Sequence, residues 1–383
     1  MGEPGRAENV TVVRHGPFYR DPRVVKECLA LCDSGCNVTV VCRGTSSPWV
    51  SRDNLHVEEV RGQVSENPVR LALQSIGFLF RIAATVLRGR RSDVVVVHSI
   101  PSWLVFGAVA ARLRNRKARI LLDHHEPEAE MLGEAGLPSP AVRAYRWVER
   151  TALRVCDGVV DVSPEMAERS RALGARQQVV VDNAPMIFDD GLPVAKTWDL
   201  AVFGSLIPRY DLPTVERALG LGDEPLDVVQ IGHGSAALSR NGSGGRLQSF
   251  PYSPPPDLQA HLRAARFGFV GLAPSDFTEF ISPNRLWELV SLEVPAIVAE
   301  TDLTRRLMAD HAVYYTGGDA ESLRDAIRRA LAMGPDEATA LARAARELLR
   351  DRLWDRQSAR FVEFCLRQPR RRAHATRLTR DSA

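Results

Sequence analysis

The chain has 383 residues, of which 45% are hydrophobic and 25% charged, a composition typical of a soluble globular protein. This length exceeds what one simple core needs and suits two domains. A formal net charge of only +3 gives no indication of a nucleic-acid partner. The first residues are polar and do not form a secretory signal, so we expect a cytoplasmic protein.

The first half of the chain alternates predicted strands and helices. Asp21-Pro22 and Ser163-Pro164 open two of the helices, because Asp and Ser accept hydrogen bonds from the first helical amides and Pro suits the first helical position. A third helix begins near Pro101. The predicted strands are 10–13, 37–42, 94–97, 120–122, 159–162 and 179–181. Four valines in a row at 94–97 are typical of a strand buried on both faces, and the whole order predicts a doubly wound α/β domain.

Four of the six cysteines lie close together in this half, at Cys28, Cys32, Cys36 and Cys42. Two of them are four residues apart on a predicted amphipathic helix, and Cys42 ends a predicted strand. Their positions favour buried thiols over a metal site or a disulfide.

Residues 71–87 form the longest apolar stretch, interrupted by Gln74 and Arg81 and flanked by arginines at 70, 88, 90 and 91. The stretch falls short of the ~20 residues that a membrane span needs. Two interpretations stay open. The helix faces the core, which the neighbouring strands favour, or it lies in a membrane interface with its basic flanks near anionic lipid.

Residues 183–198 break the pattern with prolines, a glycine and the pair Asp189-Asp190, which we interpret as linker rather than metal site. Strands are predicted again at 200–203, 227–231, 267–270 and 296–299, and helices between 321 and 366. We therefore predict an N-terminal domain at 1–185, a linker at 186–198, a C-terminal domain at 199–355, and at 356–383 a helix that packs back on the first domain with a basic tail. Two such domains place their sheet edges across a cleft, where ligands bind.

A helix beginning near residue 282 carries the clearest sign of a binding site. Ser282 is predicted as its N-cap and Pro283 as its first residue. The free amides of Asn284 and Arg285, the forked guanidinium, and Glu288 one turn later would suit a diphosphate with a ribose attached. The alternative is an ordinary helix start with Glu288 in solvent.

Several segments in the right order resemble GT-B glycosyltransferases of family 4. The segments are DPRVVKECLAL with GCNVTVVCR, Asp123-His124-His125-Glu126, VSPEMAERSRALGARQQVVVDNAP, GSLIPRYD at 204–211 and SPNRLWELVSLEVPAIV. The resemblance implies an α/β fold of two doubly wound Rossmann-like domains facing a cleft. It also implies retaining transfer of a sugar from a nucleoside-diphosphate donor to an acceptor hydroxyl, with no cofactor and no tightly bound metal.

The same resemblance assigns residue roles. The catalytic residues would be His125, Arg209 and Arg285, with both arginines and the helix start stabilising the leaving diphosphate. The donor-binding residues would be Gly204, Ser205, Tyr252, Glu279, Phe280, Ile281, Ser282, Pro283, Asn284 and Glu288, and the acceptor-side residues His15, Gly16 and Arg20. Each of these residues also has an alternative without a role in the reaction. His125 would be held by Asp123 or Glu126, Tyr252 would pack in a turn, and Arg20 and Arg209 would lie at the surface.

The chain departs from the family where many relatives carry two glutamates eight residues apart. Eight residues before Glu288 stands Phe280, with Glu279 beside it. Either a shifted loop brings Glu279 to the position of the family's first glutamate, or the backbone amides of Phe280 and Ile281 contact the sugar instead. The loop after the first strand also has one glycine, Gly16, where many relatives have two.

Two other functions fit the same architecture. One is a sugar-nucleotide 2-epimerase, and the other is a catalytically degenerate, glycosyltransferase-like binding subunit. The acceptor would be a small molecule or a lipid-linked glycan, the latter with peripheral contact to the inner membrane face through 71–91. The sequence carries no signal for oligomeric state.

Overall fold

In the computed structural model the described residues are 7–62, 68–134, 136–188, 194–221, 224–234, 236–239, 242, 244–273, 280 and 282–367, without the side chains of 68–72 and 233.

The first half of the chain forms a parallel sheet of seven strands in the spatial order β3-β2-β1-β4-β5-β6-β7. Its strands are β1 Asn9–Arg14, β2 Asn37–Arg43, β3 Leu55–Val60, β4 Val94–His98, β5 Arg119–His124, β6 Gly158–Asp161 and β7 Gln178–Val180. Its helices are α1 Pro22–Asp33, α2 Pro68–Arg88, α3 Val105–Ala108, α4 Ala111–Arg114, α5 Glu128–Glu134, α6 Ser139–Val155 and α7 Pro164–Leu173. The six predicted strands are confirmed within a residue or two.

Alternate residues of the central strands face two separate cores. On β4, Val94 and Val96 pack in one core with α1, whereas Val95 and Val97 pack in another with Phe78 and other residues of α2. The prediction of a strand buried on both faces is thus confirmed. Helix α2 covers the sheet with one face. No helix among the described residues has the length and apolar character needed to cross a membrane.

The second half forms a parallel sheet of six strands in the order β10-β9-β8-β11-β12-β13. Its strands are β8 Trp198–Ser205, β9 Val228–His233, β10 Leu247–Phe250, β11 Ala265–Val270, β12 Ala296–Ala299 and β13 Val313–Tyr315. Its helices are α8 Leu212–Gly220, α9 Pro255–Arg263, α10 Asn284–Ser291, α11 Asp302–Met308, α12 Ala320–Ala332, α13 Pro335–Leu348 and α14 Trp354–Leu366. Two parallel sheets flanked by helices confirm the predicted α/β class.

Helix α14 returns to the first sheet. Arg119 on β5 donates to the carbonyls of Phe364 and Cys365 at 2.7 and 2.8 Å. The ammonium of Lys26 on α1 lies 4.5 Å from the ring centre of Trp354. All six cysteines are buried free thiols, as the prediction of buried thiols expects.

Candidate functional site

A cavity of about 490 Å³ lies between the two sheets, and its lining comes from both. Strand β8 ends at its wall with Gly204 and Ser205, β5 ends in the loop that carries His125, and α10 begins there. The predicted site residues that line the cavity are Arg20, His125, Gly204, Ser205, Arg209, Tyr252, Ser282, Pro283, Asn284, Arg285 and Glu288.

The start of α10 differs from the prediction. Ser282 does not cap the helix, and Pro283 occupies the N-cap position rather than the first helical one. The Ser282 hydroxyl instead accepts hydrogen bonds from the Trp287 indole at 2.6 Å and from the Asn183 amide at 3.2 Å. A contact with the linker therefore replaces the local cap. The amides of Leu286 and Trp287 donate to the Pro283 carbonyl, so those of Asn284 and Arg285 precede the first intrahelical bond.

Arg285 is a buried cation at this helix start. Its guanidinium lies 3.9 Å from the ring centre of Tyr210, and Nη2 donates to the Ser205 carbonyl. The buried Nη1 has no hydrogen-bond partner among the described residues. Burial lowers the pKa of Arg285 to about 10, so the side chain stays charged near neutral pH. A buried donor of this kind is costly without an acceptor and suits an incoming anion.

Gly204 makes room for that guanidinium. Its φ of +88° lies in the left-handed region that glycine favours, and an added Cβ would stand 3.0 Å from Arg285 Nε. Position 204 therefore determines where the cation lies.

Glu288 faces the cavity rather than solvent. Its carboxylate is buried, and Oε2 lacks a partner within the described part of the chain. Burial raises the pKa of Glu288 to about 7, against the opposing effects of the Lys26 charge and a hydrogen bond from Gln259. Lys26 is buried at the same cavity, and burial lowers its pKa to about 7. Within the described residues, Glu288 Oε2 is thus an acceptor without a partner, one turn after Arg285 Nη1, a donor without a partner. Such a pair suits a ribose hydroxyl beside a diphosphate.

The last two residues of β5 point in different directions. Asp123 accepts from Arg23 Nε with both oxygens, at 3.1 and 2.9 Å. Burial opposes ionisation of Asp123, but the guanidinium outweighs it and holds the pKa well below its usual range. His124 points to the other face of the sheet, where it contacts Ser170 at 2.9 Å and Glu149 at 3.0 Å.

His125 faces the cavity. Its Nδ1 lies 3.3 Å from Asp123 Oδ1, and its amide donates to the Ser99 hydroxyl at 3.3 Å. The contact with Asp123 was one of the two predicted roles of this histidine. This contact leaves Nε2 as the ring atom available to a ligand. The two predicted roles of His125, contact with Asp123 and contact with a ligand, are therefore compatible.

The group His98, Asp123 and His125 is the one metal-like cluster found in the described ranges. Both oxygens of Asp123 already accept from Arg23 Nε, so the guanidinium is paired with the carboxylate that would have to bind the ion. A dication would stand beside a fixed positive charge, so these residues do not fit a metal site.

Tyr252 and Arg20 join the two sheets across the cavity. The Tyr252 hydroxyl donates to the Tyr19 carbonyl at 3.0 Å, and the Arg20 guanidinium lies 6.0 Å from the Tyr252 ring centre. Tyr252 thus lines the cavity and also joins the first half of the chain to the second. Arg209 lines the cavity from a 3₁₀ helix at Pro208–Tyr210.

Other predicted residues lie elsewhere. His15 is buried with its ring 5.2 Å from that of Phe78 on α2, and Gly16 is also away from the cavity lining. Phe280 is absent from the lining, and its carbonyl accepts from the Ser163 hydroxyl at 3.1 Å. Glu279 and Ile281 lie outside the described residues.

A buried charge network behind the cavity was not predicted. Arg23 lies 3.2 Å from Glu27, and His98 lies 3.5 Å from both Glu27 and Asp123. Arg23 and Lys26 line the cavity. The signal that could have found it is the group of three charges at positions 23, 26 and 27, within one turn of α1.

Comparisons with known proteins agree with this architecture. The family model described as glycosyl transferase 4-like domain matches residues 22–184. Sucrose-phosphate synthase from Thermosynechococcus elongatus is 16% identical with a TM-score of 0.68, over 93% of this chain and 98% of that chain. Anabaena HepE in complex with UDP and glucose is 13% identical with a TM-score of 0.63, over 93% and 99%.

Trehalose 6-phosphate synthase from Burkholderia multivorans is 13% identical with a TM-score of 0.63, over 94% of this chain and 96% of that chain. At such identities these likenesses show the fold. No curated protein matches the sequence significantly.

Proposed function

We propose that this chain, a family 4-like glycosyltransferase with the GT-B fold, transfers a sugar from a nucleoside-diphosphate donor to an acceptor hydroxyl with retention of configuration. The observation that carries the proposal is the presence in one cavity of two buried atoms that have no hydrogen-bond partner among the described residues, Arg285 Nη1 and Glu288 Oε2. A nucleoside diphosphate supplies both missing partners, because its phosphate oxygens accept and its ribose hydroxyls donate.

The donor class has two further supports. The cavity volume of about 490 Å³ is within the usual range of small-molecule sites. The similar Anabaena HepE was solved with UDP and glucose. We place the diphosphate between Arg209, Arg285 and the start of α10, and the ribose at Glu288.

Catalysis would consist mainly of stabilising the charge that develops on the departing diphosphate. Arg285 holds a preorganised cation there, and the first amides of α10 add donors. The acceptor hydroxyl attacks from the face on which the diphosphate leaves, and the leaving phosphate takes its proton. His125 Nε2 donates a hydrogen bond to the sugar or phosphate, with Asp123 fixing the ring.

Two arginines and a helix start supply the countercharge that other enzymes take from a metal ion. We therefore propose that turnover needs no divalent metal. Transfer rates measured with Mg²⁺ and with a chelator would then agree, and a strict metal requirement would contradict this part of the proposal.

The test begins with thermal shift of the full chain across UDP-, GDP-, ADP- and dTDP-sugars, because a ligand of the folded state raises the melting temperature. The stabilising donor is then incubated alone and with hydroxyl acceptors, and the products are separated by mass and by anomeric NMR. We expect transfer with an α-donor giving an α-product. Conversion of the donor without any acceptor would indicate the epimerase, and binding without any turnover the degenerate subunit.

A further inference from the structure

Helix α2 is apolar on two opposite faces. One face, with Ser75, Phe78, Ile82 and Val86, is buried in the core. The other carries Leu73, Ile76, Phe80 and Leu87, which are exposed, Phe80 by 68% and Leu73 by 64%. At 100° per residue the two stripes lie roughly 150° apart. The core-facing interpretation therefore accounts for only half of this helix.

The exposed stripe continues onto neighbouring helices of the same layer. Helix α3 packs closely on α2, because a Cβ at Gly107 would stand 2.6 Å from the Leu79 carbonyl. From this layer Phe106 of α3, Leu113 of α4 and Trp147 of α6 are also exposed, Leu113 by 80% and Trp147 by 68%. We call the outer surface of α2, α3, α4 and α6 the α2 face. It carries seven of the thirteen large apolar side chains that are exposed among the described residues, a concentration typical of an interaction site.

The α2 face is strongly basic. Residues 68–119, which supply α2, α3 and α4, contain ten lysines and arginines and one acidic residue, Asp93, although the whole chain carries only +3. One of the ten, Arg119, is buried against α14 and does not belong to this face. Asp93 is engaged with the Asn9 amide and the Asn115 side chain, both at 3.1 Å. On α6 the acid Glu149 is buried against Arg169 at 2.9 Å, while arginines 143, 146, 150 and 154 are exposed. Three arginines of this face lie near an acid, Arg81 with Glu58 at 3.9 Å, Arg112 with Asp157 at 2.8 Å and Arg146 with Glu130 at 3.2 Å. Among the described residues of this face the cations still outnumber the acids.

We propose that the α2 face docks on an anionic lipid surface. Aromatic and leucine side chains on the outside of a helix, bordered by arginines, suit the boundary between headgroups and acyl chains. A second copy of the chain is a poorer occupant, because a two-fold interface would bring two positively charged faces together.

The docking would also place the cleft near the lipid. Helix α2 begins after β3 and leads to β4, so its first turns lie at the carboxyl edge of the parallel sheet, on which the cavity opens. Phe78 contacts His15 just after β1 at that edge. Leu73, Ile76 and Phe80 are thus on the cleft side, and Arg88 and Arg90 on the far side. From such a surface a lipid-carried acceptor would reach the cleft. This consequence rests on the proposed function, whereas the docking proposal is independent of it.

The test is co-sedimentation of the full chain with phosphatidylglycerol-containing vesicles and with phosphatidylcholine vesicles. We expect pelleting only with the anionic vesicles and release at about 1 M salt, where the screening length falls to ~3 Å. Leu73→Ser combined with Phe80→Ser should weaken binding at least about tenfold. Arg81→Gln with Arg88→Gln and Arg90→Gln should weaken it about a hundredfold.

Leu348→Ser is the matched control, because Leu348 is 49% exposed on α13 of the other half. It should leave pelleting unchanged. Donor-induced thermal shift of each variant, measured without vesicles, separates docking from the proposed function. No pelleting at low salt would overturn the proposal. So would unchanged pelleting of the variant with both Leu73→Ser and Phe80→Ser, or a dimer in light scattering that this double variant makes monomeric.

Discussion

Glutamine in place of the buried Glu288 should stabilise the free protein at alkaline pH while it weakens donor binding. The pKa of this carboxyl is about 7 in the folded chain, above the usual 4.5, because burial penalises its charged form. A raised folded-state pKa means that the folded state binds the proton more tightly. The contribution of Glu288 to stability is then fully present below about pH 4.5 and is lost as pH rises through 7.

The size of the effect follows from the shift. At 1.36 kcal/mol for each pKa unit, the ionised carboxylate lowers the free energy of unfolding by on the order of 3 kcal/mol above pH 8. Glutamine is neutral at every pH and nearly isosteric, so Glu288→Gln recovers this amount. With an unfolding entropy of about 2.1 cal/mol/K per residue, a chain of 383 residues gains about 4 °C in melting temperature.

The assay is thermal unfolding of wild type and variant at pH 5 and pH 8.5 without ligand. We expect nearly equal melting temperatures at pH 5 and a higher value for the variant at pH 8.5. The exposed Glu216 on α8 provides the control, since Glu216→Gln should change neither. Calorimetry with the donor should show at least about tenfold weaker binding by Glu288→Gln. A variant that is less stable at pH 8.5, or equally shifted at both pH values, would refute the reasoning.

Three other changes test the remaining parts of the site. Arg285→Met should lower kcat by about a hundredfold to a thousandfold, as loss of a transition-state donor does, while Arg328→Met on the exposed side of α12 should not. Asp123→Asn should lower the free energy of unfolding by about 3 kcal/mol, because the buried Arg23 guanidinium loses the charge of its carboxylate partner; unchanged urea denaturation would contradict this. Gly204→Ala should raise the donor Kd, since its Cβ displaces Arg285, whereas Gly334→Ala with open space around it should not.

The architecture could be predicted because its central strands carry continuous apolar runs. The run at 94–97 identified β4, and its burial on both faces follows from that. The strands that sequence reasoning missed are short or half-polar edges, such as β3 with LHVEEV and β13 with VYY. Their pairing depends on a neighbouring strand rather than on a pattern of their own.

The candidate site could be predicted only where local sequence determines position. Arg285 and Glu288 follow from the start of α10, whereas His125 was assigned from the resemblance of the segment at 123–126 to the family. Lys26 could not be recognised, because α14 and the second half of the chain bury it, and both are far away in sequence. The cap at Ser282 was wrong for a similar reason, since a tertiary bond to the Asn183 amide takes its hydroxyl.

The most direct measurement of the central claim is a crystal structure of the chain with the nucleoside diphosphate that stabilises it most. The account predicts phosphate oxygens within hydrogen-bond distance of Arg285 Nη1 and the start of α10, with a ribose hydroxyl on Glu288. A diphosphate bound away from Arg285, or a ribose that does not touch Glu288, would contradict it.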